Sequence, residues 1–100
     1  MNMQALMKQA QTMQREITKT KEEIDKMEFV SENSLVRVKT NGKKEILEIK
    51  FLENIVEMEK EDTVLLEDMI LVAINDAFNK VDKMTEQKMG KYTSMMNGLM

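Results

Sequence analysis

Apolar side chains recur along the first quarter of the chain at alternating steps of three and four residues. The apolar residues of this series are Met3, Leu6, Ala10, Met13, Ile17, Ile24 and Met27, and Thr20 occupies its one polar position. This spacing is the a/d seam of a coiled coil, and no Gly or Pro interrupts residues 2–28. The pattern predicts one long helix. Because such a helix is too long for the core of a chain this small, we expect it to pack against another long helix.

A short β region follows. Residues 34–40 and 43–51 both alternate apolar and polar side chains, and Asn41-Gly42 separates them. Asn-Gly is a strong hairpin signal, because a type I′ turn requires positive φ at both central residues. Residues 29–31 are predicted to add a third, shorter strand, since two strands alone are marginally stable. On the return strand one face is predicted to carry Leu47, Ile49 and Phe51, and the opposite face Ile46, Glu48 and Lys50.

The second long helix is predicted to begin at a cap on Asp62 or Thr63 and to end near Met89 or Lys91. A connector rich in Glu precedes it, with one helical turn predicted at residues 52–55. The main apolar stripe of the helix is Leu66, Ile70, Ala73, Ile74, Ala77, Val81 and Met84. Further apolar residues lie off this stripe, namely Val64, Leu65, Leu71, Val72 and Phe78.

A helix that is apolar nearly all round must be covered on more than one side. The sheet can cover one side, and a second copy of the chain is the simplest cover for the other. The sequence therefore predicts a homodimer, with an interface formed by Leu65, Ile70, Leu71, Ile74 and Phe78. Beyond Met84 the stripe is predicted to fail, because Lys88 takes the next core position. The end of the helix then projects from the core beside the first helix, and residues 93–100 fray.

Composition limits the function. The chain has 100 residues, enough for one domain, and it contains no His, Cys, Pro or Trp. Disulfides, Cys/His metal sites and catalytic pairs that need His or Cys are thereby excluded. No Gly-rich phosphate loop is present, so we expect neither catalytic residues nor a small-molecule substrate or cofactor. No apolar run approaches the 18 residues that a membrane span requires, and the default location is the cytoplasm.

One acidic cluster could in principle bind a metal ion: Glu53, Glu57, Glu59, Glu61, Asp62, Glu67 and Asp68. Its spacing does not match a calcium loop, and no Gly lies within it. A solvated loop, with acids in the first turns of a helix, is the favoured interpretation, and we predict no metal site.

Charge is unevenly distributed. Residues 51–78 carry one Lys against eight acids, a net of −7, so the rest of the chain sums to +4. Lys8, Arg15, Lys19 and Lys26 share the outer face of the first helix, and Lys80, Lys83 and Lys91 share a face of the second, with Lys88 close by. On spacing alone, an ordinary solvated face is favoured over contact with phosphates. A further basic candidate is the hairpin, with Arg37, Lys39, Lys43 and Lys44.

Several strings, taken in order, resemble the YbaB/EbfC family of bacterial nucleoid-associated DNA-binding proteins. Residues 2–14 (NMQALMKQAQTMQ) resemble the N-terminal helix of the family, and residues 36–51 resemble its central hairpin. Residues 66–77 match the distinctive pattern LEDxIxxAxNDA, and residues 87–91 (QKMGK) resemble the start of its C-terminal tail. The resemblance covers nearly the whole chain.

The resemblance implies an α+β subunit, residues 1–92, made of a long helix, three strands and a long helix, with a flexible tail at 93–100. It implies a homodimer with projecting helical arms that binds duplex DNA in the nucleoid with little sequence preference, in nucleoid organisation and gene regulation. Carried over to this chain, the DNA-binding residues are Lys8, Arg15, Lys19, Lys80, Lys83, Lys88 and Lys91. Two features depart from the family: a Gly-rich loop is reduced to Glu32-Asn33-Ser34, and the tail lacks Pro.

An alternative function of another class is a prefoldin-like chaperone or coiled-coil adaptor that binds proteins, since that outline is also helix, hairpin, helix. Such a chain should keep a/d heptads through both helices, whereas the second helix here is apolar all round between residues 64 and 78.

Overall fold

The computed structural model describes residues 2–52 and 59–99. Its elements, in chain order, are α1 (Met3–Lys26), β1 (Glu28–Glu32), β2 (Val36–Asn41), β3 (Ile46–Phe51), a 3₁₀ turn (Lys60–Asp62) and α2 (Thr63–Leu99). The strands form one antiparallel sheet in the order β1-β2-β3. The predicted α+β architecture is confirmed. The predicted helical turn at 52–55 falls mainly on residues outside the described ranges.

Local chemistry sets the helix ends. The side chain of Asn2 accepts a hydrogen bond from the Gln4 backbone N–H at 3.0 Å and so caps α1. Before α2, the Asp62 carboxylate accepts the Glu59 N–H at 3.1 Å within the 3₁₀ turn, at the predicted start of the helix. The predicted end at Met89 or Lys91 was wrong, because α2 continues to Leu99. No Pro follows Lys91, and a lone Gly98 near the end does not stop a helix.

The core forms where α2 crosses β1 and β2. Val36 and Val38 of β2 are fully buried against Ala73 and Ala77 of α2, whose small side chains allow the helix to approach the sheet closely. Met69, Ile70 and Ile74 pack around this cluster. The predicted α2 stripe therefore does face the sheet.

Thr40 belongs to the same buried face of β2, and its side chain is fully enclosed. Within the described part of the chain, its hydroxyl oxygen has no hydrogen-bond partner. Thr40→Val keeps the shape of the side chain and removes a desolvated hydroxyl. We expect the free energy of unfolding to rise by about 1 kcal/mol, measured by urea denaturation. Thr18→Val, at an exposed position of α1, is the control, and a loss of stability in the Thr40 variant would contradict the assignment.

Polar contacts join α2 to β1 and to the loop after it. Ser31 donates a hydrogen bond to Asp76 Oδ2 at 2.7 Å, and Lys80 Nζ lies 3.5 Å from the same oxygen. Asn33 donates to the Met69 carbonyl oxygen at 2.9 Å. The hydrogen bond from Ser31, assisted by Lys80, lowers the pKa of the Asp76 carboxyl group below its ordinary value.

This lowered pKa predicts a dependence of stability on pH. A carboxyl whose folded-state pKa is depressed stabilises the fold above its unfolded pKa, about 3.9, and this contribution is lost as the pH falls through the folded-state value. Thermal melts should therefore show Asp76→Ala less stable than the wild type at neutral pH, with the difference shrinking below about pH 4. Asp68→Ala, an exposed acid on the same helix, is the control. A difference that stays constant down to low pH would show that the Asp76 charge is not involved.

The third strand is left uncovered by α2. The exposed fractions of Ile46, Leu47, Ile49 and Phe51 are 43%, 50%, 43% and 50%. Ile49 and Phe51 pair with Val38 and Val36, so they share one face of the strand, as predicted, and it is the sheet face that α2 covers on β2 but not on β3. A β-bulge shifts the register so that Ile46 lies opposite Thr40. The prediction that Ile46 faces away was therefore wrong, and Leu47 is the extra residue of the bulge.

The hairpin between β2 and β3 is present, but the predicted type I′ turn is wrong. Lys44 is the one non-glycine residue with positive φ among the described residues, at 60°, and Gly42 does not have positive φ. Lys44 N–H donates to the Asn41 carbonyl, and Asn41 N–H donates to the Glu45 carbonyl, each at 3.1 Å. These bonds close a three-residue loop, Gly42–Lys44, of the type in which a turn is followed by one left-handed residue.

Candidate nucleic-acid interface

Two antiparallel helical segments extend the molecule to 71 × 22 × 13 Å. We call residues 3–20 of α1 and residues 79–99 of α2 the arm. At the base of the arm, Ile24 lines one cleft with Thr85 and Met89, and further along the arm Met13 lines another with Tyr92. Positions thus run in opposite directions on the two helices, and the end of α2 lies beside α1 as predicted.

The seam of the arm continues farther along α2 than predicted. Lys88 is half-buried, and Tyr92 beyond it is buried, with 6% of its surface exposed. The prediction that the stripe fails at Lys88 was wrong, because the aliphatic stem of a lysine can cover apolar surface while its ammonium group reaches water. The signal was present in the sequence: Tyr92 follows Val81 by eleven residues, which places both on one helix face.

The basic residues of α1 are placed as predicted. Lys8, Arg15 and Lys19 are all exposed, and helical periodicity puts them opposite the seam formed by Met13, Ile17 and Ile24. Glu16 is the one acid between residues 3 and 20. Among the described residues, none of these three side chains forms an ion pair, and they lie at spacings of two turns and one turn.

The basic residues of α2 fall into two groups. Lys83 and Lys91 are exposed on one flank, with Gln87 between them, and Lys91 Nζ lies 4.9 Å from the centre of the Tyr92 ring. A cation held over an aromatic face keeps its charge and is held in place. The acids of this segment, Asp82 and Glu86, lie on another flank of the helix.

Lys80 joins α2 to β1 through its side chain. Its Nζ donates to the Val30 carbonyl oxygen at 2.6 Å and pairs with Asp76 at 3.5 Å, so its ammonium group is engaged with β1 and its own helix. Its ion pair and hydrogen bond separate Lys80, and partial burial separates Lys88, from five cations that are exposed and form no ion pair among the described residues: Lys8, Arg15, Lys19, Lys83 and Lys91.

Charge separates along the molecule. Residues 1–20 and 79–100 contain seven Lys or Arg against three acids, a net of +4, and all other residues together carry −7. Residues 1–15 and 87–100, which include the distal part of the arm, contain no Asp or Glu. A local excess of one sign attracts the opposite charge whatever the net charge of the chain.

The alternative basic surface on the hairpin is largely neutralised. Lys39 lies 3.8 Å from Glu28, and Lys44 lies 2.6 Å from Asp82. In the sheet register, Arg37 and Lys50 form a cross-strand row with Glu32. The geometry therefore favours the arm as the surface for a polyanion.

Metal binding has no support in the described residues: no group of three or more His, Cys, Asp or Glu is placed to hold an ion there. Two members of the predicted acidic cluster, Glu53 and Glu57, lie outside those residues. Among the described helices, none has the length and apolarity needed to span a membrane.

Its fold and charge place this chain in a class of elongated helix–sheet–helix proteins that carry a basic arm. The family model described as the YbaB/EbfC DNA-binding family matches residues 1–96, and the chain belongs to this family. A nucleoid-associated protein of Enterococcus faecalis is 39% identical over 99 residues, which cover 97% of this chain and 93% of that protein. Another from Lactococcus lactis is 38% identical over 95 residues, which cover 93% and 94%.

A solved structure supports the fold alone. The crystal structure of an uncharacterised protein, HP0035, from Helicobacter pylori superposes with a TM-score of 0.62 at 19% sequence identity, covering 100% of this chain and 99% of that one. The arrangement of two long helices about a small sheet is thus shared across nearly the full length of both proteins.

Proposed function

We propose that this chain is a nucleoid-associated protein that binds duplex DNA as a homodimer, largely without sequence preference, in the cytoplasm. Its role would lie in nucleoid organisation and gene regulation. The observation that carries the proposal is the concentration on the arm of exposed cations that form no ion pair among the described residues, five in each chain, against a net of −7 elsewhere. Lysine and arginine on the outside of a helix neutralise phosphates and release counterions, and this needs no geometry for reading bases.

Duplex DNA fits better than single strands. Binding of single strands relies on aromatic side chains on which bases stack, and the one aromatic residue described on the arm, Tyr92, is buried in the seam. The named relatives are nucleoid-associated proteins, which agrees with a chromosomal partner. No observation favours the prefoldin-like alternative, since α2 packs Ala73 and Ala77 on its own sheet rather than presenting a heptad seam there.

A homodimer would cover the open side of the sheet. The edge strand β1 is partly blocked, because Lys80 donates a hydrogen bond to the Val30 carbonyl oxygen. The other edge strand, β3, offers an apolar face and an edge that no strand of the described residues pairs with. Met69, Asp76 and Lys80 contact or face β1, so the opposite flank of α2 faces β3. Helical periodicity places Ile70, Leu71, Ile74 and Phe78 on that flank. Leu65 falls on the β1 flank, so we leave it out of the proposed interface.

Fluorescence anisotropy with two unrelated duplexes of equal length, and with one single strand, tests the proposal. We expect the two duplexes to bind with equal affinity and the single strand to bind more weakly. Failure to bind either duplex, or binding of only one, would contradict the proposed function.

A further inference from the structure

We propose that the hairpin loop, Gly42–Lys44, is a clamp that sets the direction of the arm, with Lys44 and Asp82 as positioning residues for DNA binding. The inference rests on the proposed function for its link to DNA. Its physical content is a connection from the sheet to both helices at the base of the arm.

The backbone of the loop contacts α1 directly. A Cβ atom added at Gly42 would overlap the carbonyl group of Ile24 and lie 2.9 Å from the Cα of Asp25. Since Gly42 does not have positive φ, glycine is needed here for the close approach and not for the turn. The loop therefore presses against the last turns of α1 with no side chain between the two backbones.

The other contact is made by Lys44. This residue has φ of 60°, a conformation that Gly and Asn adopt readily and that is strained for most other residues. Its Nζ lies 2.6 Å from Asp82 Oδ1, near the point where α2 enters the arm. The turn alone would favour Gly or Asn at this position. A lysine is found there despite the strain, and its ammonium group reaches another element, which indicates that the ion pair accounts for the lysine.

The loop is stiff enough to transmit position. The Asn41 side-chain oxygen accepts the N–H groups of Lys43 at 2.9 Å and Glu45 at 3.1 Å, and its amide donates to the Glu45 carboxylate at 2.9 Å. With these bonds the loop holds one shape. It connects to α1 through Gly42 and to α2 through Lys44, so the two helices keep a fixed angle to the sheet.

Two variants that change the charge in opposite directions distinguish the clamp from a direct electrostatic effect of these side chains on DNA. Lys44→Gly removes one positive charge and relieves the strained φ, whereas Asp82→Asn removes one negative charge from the arm. If these residues act only as point charges towards DNA, the first variant should bind more weakly and the second more tightly. The clamp predicts that both bind more weakly, by roughly 3- to 10-fold, which corresponds to an exposed ion pair lost once in each subunit.

Matched controls exist beside each residue. Lys43→Ala removes the neighbouring lysine of the loop, and Glu86→Gln removes an exposed acid one turn beyond Asp82. We expect Lys43→Ala to bind within about twofold of the wild type and Glu86→Gln to bind equally or more tightly. The exchanged pair Lys44→Asp with Asp82→Lys keeps the total charge and should recover most of the lost affinity. An exchanged pair no better than the single variants would overturn the clamp.

The direction of the arm can be measured without DNA. The chain contains no Cys, so spin labels can be placed at exposed Gln11→Cys on the arm and Glu32→Cys on β1, in subunits diluted with unlabelled chain. The clamp predicts one narrow distance distribution in the parent, broadening or shifting in Lys44→Gly and Asp82→Asn but not in the two controls. Unchanged distances in both variants would overturn it. Broadened distances in a protein that binds no duplex would support the clamp and contradict the proposed function instead.

Discussion

Replacing both Arg15 and Lys19 by Ala is expected to weaken the binding of duplex DNA on the order of 10- to 100-fold at about 0.1 M salt. Both side chains are exposed on the face of α1 opposite the seam, so they are free to meet phosphates. In a homodimer each loss counts twice. The loss should be equal for unrelated sequences, because phosphates carry no sequence information. Titration of two labelled duplexes measures both quantities.

The matched control removes the same charge outside the arm. Lys43 and Lys50 lie on the hairpin and on β3, and replacing both by Ala is expected to change the affinity by less than about threefold. The melting temperature of either double variant should stay close to that of the wild type, since exposed positions change stability by no more than about 0.5 kcal/mol. If the hairpin pair weakened binding more than the arm pair, the hairpin would be the phosphate-binding surface.

Ile49→Asp is expected to abolish the proposed dimer. Ile49 is 43% exposed in the single subunit, on the uncovered face of β3, so a carboxylate there should be tolerated by the subunit but not within an apolar interface. We expect the dimer dissociation constant to rise at least about 100-fold, equivalent to about 2.7 kcal/mol. Sedimentation equilibrium at micromolar concentration measures the association.

Lys50→Glu is the control for that variant, because its side chain lies one residue on and on the other face of the sheet. It should leave the association intact. A wild type that sediments as a folded monomer at micromolar concentration, or an Ile49→Asp variant that still forms dimers, would show that the apolar face of β3 is not the interface.

The periodicity of apolar residues predicted the helices and strands because the buried positions of each element recur with the repeat of that element. The steps of three and four between Met13 and Ile24 become a seam of α1 that is half-buried at Met13 and Ile17 and buried at Ile24. The alternation at Val36 and Val38 becomes the covered face of β2. Local sequence patterns were therefore sufficient to predict those elements whose structure depends on the burial of one face. The outward placement of Lys8, Arg15 and Lys19 followed in the same way, from their spacing relative to that seam.

The errors arose where contacts distant in sequence decide the local structure. The Asn-Gly pair predicted a type I′ turn, but Gly42 is held by the backbone of α1, and the left-handed residue is Lys44. Lys80 was predicted to be one of the DNA-binding cations of the arm, but its side chain contacts Val30 and Asp76. No spacing rule reveals such partners, because 50 residues separate Lys80 from Val30 in the chain.

The most direct test of the central claim is the dependence of affinity on salt for the wild-type protein and one random duplex, between about 50 and 200 mM. Each phosphate neutralised adds about 0.9 to the slope of log affinity against log salt. In the proposed dimer, five exposed cations on each arm, which form no ion pair among the described residues, set an upper limit near 9, and we predict a slope between about 4 and 9 that falls when Arg15 and Lys19 are replaced. A slope below about 2, or one unchanged by that replacement, would show that the arms do not bind the phosphate backbone.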